Sequence, residues 1–116
     1  MKLLVVSDLH GSLYYGKKVI ELFEKEKADK ILFLGDALYH GPRNPLTKEY
    51  NPKVLAELLN TYKDRIIAVR GNCDSEVDQM VLDFPMMADY STLLLGSKVI
   101  FATHGHIYNK TNMPNM

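Results

Sequence analysis

Apolar and polar positions fall in blocks along this chain, and the blocks carry two different periods. Lys2 to Val6 is a short apolar run (Leu3, Leu4, Val5, Val6) with the length and bulk of a buried strand. Beyond it, Leu13, Gly16, Ile20 and Phe23, with Val19 and Leu22 beside them, recur at helical spacing. Lys17, Lys18, Glu21, Glu24 and Lys25 fill the opposite face. Lys30 to Leu34 is a second short apolar run. Strand, helix and strand within about 35 residues make a βαβ unit, so these two strands are expected to be parallel.

The pattern resumes after a long loop at 36–51, a length that is uncommon in compact domains and often functional. Asn51 is placed to cap a second helix, with Pro52 at its first position. That helix is predicted to run to about Tyr62, with Leu55, Leu58, Leu59 and Tyr62 facing inward. Arg65 to Val69 is a third strand and Ser75 to Leu82 a short helix. Ser91 to Leu95 and Lys98 to Ala102 are joined by Gly96-Ser97, the connection of an antiparallel hairpin. Ile107 to Met116 carries no strong period.

Four of these runs end abruptly in polar residues: Asp8-x-His10, Gly35-Asp36, Gly71-Asn72 and His104-x-His106. On an extended segment Asp8 and His10 would point to the same side. Alone, such a pair reads more readily as a polar strand exit than as a metal site. Three of the exits follow strands of one parallel array, so they should meet at one edge of the sheet, where open α/β folds place their ligands. Glycine before the polar residue lets the backbone turn and lets another group approach closely. Together the four exits offer only oxygen and imidazole donors. That set favours manganese, magnesium, iron or zinc over a structural thiolate zinc site.

Composition removes several alternatives. The chain has 116 residues, 47% hydrophobic and 24% charged, as expected of one soluble globular domain. Its formal net charge is zero, so no basic field advertises a nucleic-acid partner. No apolar run approaches the ~20 residues of a membrane span. Cys73 is the only cysteine, which excludes an intrachain disulfide and fits a reducing compartment. No signal-peptide pattern opens the chain, and a cytoplasmic setting is expected. Asn109-Lys110-Thr111 matches a glycosylation acceptor without that context.

Asp8-Leu9-His10, Gly35-Asp36, Gly71-Asn72-Cys73-Asp74 and Thr103-His104-Gly105-His106 together resemble the motifs of the calcineurin-like metallophosphoesterases. His40-Gly41-Pro42-Arg43-Asn44 and Arg70 to Met80 are most like a subgroup of small bacterial phosphodiesterases within that family. The resemblance runs from Met1 to about Tyr108. It implies an α/β fold, the α/β/β/α sandwich of the metallophosphoesterases, with the second sheet incomplete in this chain. It also implies two divalent cations, manganese foremost, with magnesium, iron and zinc compatible. Asp8 and His10 would hold one, Asn72 and His104 the other, and Asp36 would bridge them through its two oxygens. A hydroxide activated by both metals would attack phosphorus in a small phosphodiester. Asp36, Asn72, Asp74 and His106 are thereby placed in the catalytic machinery, Asp74 as the orienter of a neighbouring histidine and His106 as a support or substrate contact. His40, Arg43 and Asn72 are placed at the substrate. Arg43 reads also as a solvated loop arginine, and Arg70 as a brace of its loop. Cys73 reads as a small, partly buried side chain, and Asp78, Met80 and Met86 as surface or core residues.

Two departures from the family pattern stand out. Many members carry a histidine at the position of Cys73, where it assists the leaving group; its absence, shared with the subgroup, points to diesters rather than monoesters with poor leaving groups. Family chains also continue to a Gly-His-x-His motif, whereas this sequence stops at Met116. The expectation is therefore a single domain over residues 1–116, truncated at its carboxyl end. Self-association through an uncovered hairpin edge would follow. The alternative is a catalytically impaired fragment, or a protein-interaction scaffold of the kind this fold forms in retromer. Retention of Asp8, His10, Asp36, Asn72 and His104 favours the enzyme.

Overall fold

The computed structural model describes residues 2–39, 46–95 and 97–105. Strands β1 (Leu3–Val6), β2 (Lys30–Phe33) and β3 (Ile66–Ala68) form a parallel sheet in the order β1-β2-β3. Helix α1 (Leu13–Lys25) joins β1 to β2, and α2 (Pro52–Asn60) precedes β3. Beyond β3 come α3 (Glu76–Val81) and an antiparallel pair, β4 (Ser91–Leu95) and β5 (Lys98–Ala102), with Ser91 opposite Ala102. The predicted mixed architecture, a parallel sheet with a small antiparallel one, is what forms.

Local chemistry sets the helix starts. Ser12 Oγ accepts from the Tyr15 amide at 3.2 Å, and Asn51 Oδ1 accepts from the Val54 amide at 3.3 Å. Pro52 follows at the first helical position, where its missing amide proton costs nothing. α2 ends at Asn60, short of the predicted Tyr62, because the chain tightens there into a 3-10 turn over Lys63–Arg65. Arg65 therefore precedes β3 instead of opening it. Tyr62 still faces inward, its ring set edge-on to Phe23 with centroids 5.8 Å apart.

Ile31, Leu32 and Phe33 are all buried, which makes β2 the central strand, covered on both faces. β1 departs from the fully buried strand expected. Leu4 and Val6 pack on the core, but Val5 on the other face is 54% exposed. The strand lies at the end of the β1-β2-β3 order and is covered on one face only. Between the sheet and the helices, Leu55 and Leu59 of α2 meet Phe23 of α1 and Ile31 and Phe33 of β2 in one cluster.

Leu55 has no exposed surface. Leu55→Ala is expected to lower unfolding stability by about 2–5 kcal/mol, the range for a large buried aliphatic removed from a packed core. A urea titration would read it as a lower midpoint; an unchanged midpoint would mean that the α1–α2 interface does not hold the sheet's cover in place.

Candidate metal centre

The parallel ladder of β1 and β2 does not stop where the strands end. The Asp8 amide donates to the Gly35 carbonyl at 2.9 Å, His10 to Asp36 at 2.9 Å and Gly11 to Ala37 at 2.8 Å. The two exits therefore stay zipped together while they turn. Asp8, His10 and Asp36 turn with φ of 59°, 47° and 60°, the left-handed region that non-glycine residues avoid. This corrects the expectation that Asp8 and His10 share one side of an extended segment. Left-handed turns at both residues bring His10 Nε2 to 3.0 Å from Asp8 Oδ1. Three left-handed residues on two adjoining strand exits are the kind of backbone strain that surrounding structure must hold in place.

What holds it is Asp74. Its buried carboxylate accepts from the amides of Asp36 at 2.7 Å, Ala37 at 3.0 Å and Gly71 at 2.7 Å. The carboxylate thus ties the β2 exit to the β3 exit through backbone amides, where an orienting contact to histidine was expected. The join is tight. A Cβ on Gly35 would run into the Gly71 backbone, and one on Gly71 would run into the Asp36 carboxylate. Both positions therefore require glycine, as the close approach inferred from sequence implied. On the far side of Gly71, the Arg70 amide donates to the Ala88 carbonyl at 2.7 Å and its guanidinium meets Asp89 at 2.7 Å. Arg70 is a brace.

Asp36 is 2% exposed and is the centre of the cluster. The Cys73 amide donates to its Oδ1 at 2.7 Å. Its Oδ2 faces His104 Nε2 at 3.3 Å and His10 Nε2 at 3.7 Å. Both imidazoles are turned by the backbone. His10 Nδ1 lies 2.9 Å from the Tyr39 carbonyl, and His104 Nδ1 lies 2.6 Å from the Leu34 carbonyl. A carbonyl only accepts, so each Nδ1 carries a proton and each Nε2 is the ring nitrogen turned toward Asp36. This is how metal-ligating histidines are held.

Among the described residues, two donor sets meet metal-ligand spacing: Asp8, Asp36 and His104, and His10, Asp36 and Cys73. Asp36 belongs to both, consistent with a shared ligand. Both imidazoles converge on one oxygen of Asp36. Electrostatics match the crowding. Burial pushes the Asp36 carboxyl up; the Cys73 amide and His104 oppose this, Asp8 and Asp74 reinforce it, and the net shift is upward. Burial also pushes Asp8 up, but hydrogen bonds with Ser7, Asp36 and His10 and the field of His104 outweigh it and leave it low. Burial, then the surrounding carboxylates, pushes the Cys73 thiol up, so it is not a thiolate nucleophile. Oxygen and imidazole donors around one buried, shared carboxylate fit a hard or borderline divalent cation.

Asn72 is exposed in the turn after β3 and lines a cleft with Tyr39, Cys73 and Asp74. His40, Arg43 and His106 lie outside the described residues. The carbonyls of Leu34 and Tyr39 are the functional groups that sequence reasoning missed. A backbone carbonyl is common to every residue and leaves no mark in a motif.

An α/β sheet whose strand exits gather two carboxylates and two oriented imidazoles defines a metallohydrolase-type centre. The sequence matches the calcineurin-like phosphoesterase superfamily domain over residues 1–116, and the chain belongs to that family, whose members use divalent metals. It is 50% identical over 114 residues to the phosphodiesterase YfcE of Escherichia coli K12, covering 98% of this chain and 62% of that protein; the O157:H7 protein of the same name matches equally. The chain thus spans less than two thirds of the length of these relatives. The solved structure of YfcE, described as a phosphoesterase from E. coli, superposes with a TM-score of 0.97 at 48% identity, covering 100% of this chain and 64% of that one. A predicted phosphoesterase from Streptococcus pneumoniae TIGR4 shares the fold at a TM-score of 0.53 and 24% identity, over 95% of this chain and 48% of its own.

Asp74→Asn is expected to destabilise the chain by about 2 kcal/mol or more, since an amide nitrogen would face backbone donors that a charged oxygen now satisfies. Thermal or urea unfolding measures it. A variant as stable as the parent would contradict the structural role and return Asp74 to the chemistry.

Proposed function

We propose that the protein to which this sequence belongs hydrolyses small phosphodiesters with the help of two divalent cations, manganese foremost. One observation carries the reading: both imidazoles commit Nδ1–H to a backbone carbonyl and aim Nε2 at the same oxygen of Asp36. Asp8, His10, Asp36, Asn72 and His104 would hold the cations. Asp36 would be shared between them, its carboxylate steadied by the Cys73 amide at Oδ1. When bound, such cations polarise phosphoryl oxygens and lower the pKa of water.

The chain's own groups set the rest. Asn72, exposed at the mouth, has an amide able to donate to a phosphoryl oxygen as well as an oxygen donor. Asp74 acts through the backbone, keeping Asp36 in its left-handed turn. Cys73 stands beside the reacting position with a thiol that is a weaker acid than usual. It is ill suited to protonate a leaving oxygen, so good leaving groups are favoured. His106, His40 and Arg43 keep the roles that the family resemblance implies, as support of the centre and as substrate contacts.

With saturating manganese, an activated aryl diester should be cleaved faster than an alkyl monoester, and a chelator should abolish both activities. Asp8→Asn should lower the diester rate by about 100-fold, the scale on which disturbed metal ligation acts. A preference for the alkyl monoester, or activity indifferent to the chelator, would contradict the reading.

A further inference from the structure

A cavity of about 500 Å³ opens between α2 and α3, walled by Tyr39, Tyr50, Ala56, Val77 and Val81. It adjoins the cleft of about 610 Å³ that contains Asn72, Cys73 and Asp74. The two spaces share Tyr39, Val77 and Asp78 as walls and so lie side by side. Tyr39 also joins the cavity to the metal centre directly, through the carbonyl that turns His10. α3 supplies one side and is fixed at its start by Asp78, whose carboxylate accepts from the Ser75 amide at 3.0 Å. Val77 and Val81 of that helix are 68% and 49% exposed, apolar surface that the catalytic centre does not use.

We infer that this cavity is the subsite for an uncharged aromatic ester group of the diester. The inference rests on the phosphodiesterase reading and names its substrate class. A volume of this size holds a ring system of drug-like dimensions. Tyr39 and Tyr50 offer aromatic surfaces against which a flat ring packs edge-on or offset. Charge selects further. Glu57 and Asp78 line the cavity against the single cation of Lys53, so a second anionic group is disfavoured there. The occupant is an aryl group rather than another phosphate.

The experiment separates this subsite from the leaving-group effect by changing only the ester group that stays behind. Methyl p-nitrophenyl phosphate and phenyl p-nitrophenyl phosphate release the same phenolate. The phenyl compound is expected to show about tenfold higher kcat/KM, the scale of an apolar pocket contact. Val81→Glu, at an exposed position remote from the ligands, should erase that preference and leave the methyl rate unchanged. A second measurement does not depend on turnover: diphenyl phosphate, but not dimethyl phosphate, should shift the methyl NMR signals of Ala56, Val77 and Val81. Hydrolysis without phenyl preference and without those shifts would overturn the subsite and leave the phosphodiesterase reading intact. Shifts without any hydrolysis would keep the subsite and overturn that reading. Shifts of the same methyls with protein concentration alone would mean that a second copy of the chain covers the cavity, and would also overturn it.

Discussion

Three backbone amides from two strand exits converge on the carboxylate of Asp74, and the centre depends on that convergence. Each such bond to a charged acceptor is worth about 1.5–3 kcal/mol, enough to offset the left-handed turn it maintains at Asp36. With the turn held, the Cys73 amide fixes one Asp36 oxygen and the other faces two imidazoles. Glycine at 35 and 71 is the steric condition for all of this, because any side chain there would occupy the space of the join. Buried charge, backbone strain and close packing are therefore one arrangement seen from three sides.

The imidazoles are set by the same logic at longer range. Leu34 and Tyr39 flank the β2 exit, and their carbonyls each take one Nδ1–H. A single polar turn thus provides the shared carboxylate and the tautomer of both histidines. His104 arrives from β5, 70 residues along the chain from Leu34, so the antiparallel pair is tied to the parallel sheet at the site itself. The aryl subsite extends this arrangement outward: Tyr39 orients His10 with its backbone and walls the cavity with its residue.

Much of this was legible in the sequence. Among the described residues, the apolar runs and faces of β1, β2, β3, α1, α2, β4 and β5 located those elements to within a few residues. The polar residues after those runs marked Asp8, His10, Asp36 and His104; topology alone brings the first three, on parallel strand exits, to one edge. Capping at Asn51 and the hairpin register followed from local chemistry. What stayed hidden was carried by backbone. The turns at Asp8 and His10 come from a ladder that continues past the strands, and Asp74 meets amides that every residue possesses. A motif names side chains, whereas the atoms that aim the imidazoles are carbonyls. The edge exposure of Val5 needed the strand order, which one apolar run cannot supply.

The central claim is that Asp36 is a shared ligand that places two cations together. Electron paramagnetic resonance of the chain titrated with manganese tests it most directly. Two ions per chain with an exchange-coupled spectrum are predicted for the parent, and loss of the coupled signal with weakened binding of both ions for Asp36→Ala. Two ions without coupling in the parent, or a coupled pair surviving in Asp36→Ala, would contradict the account.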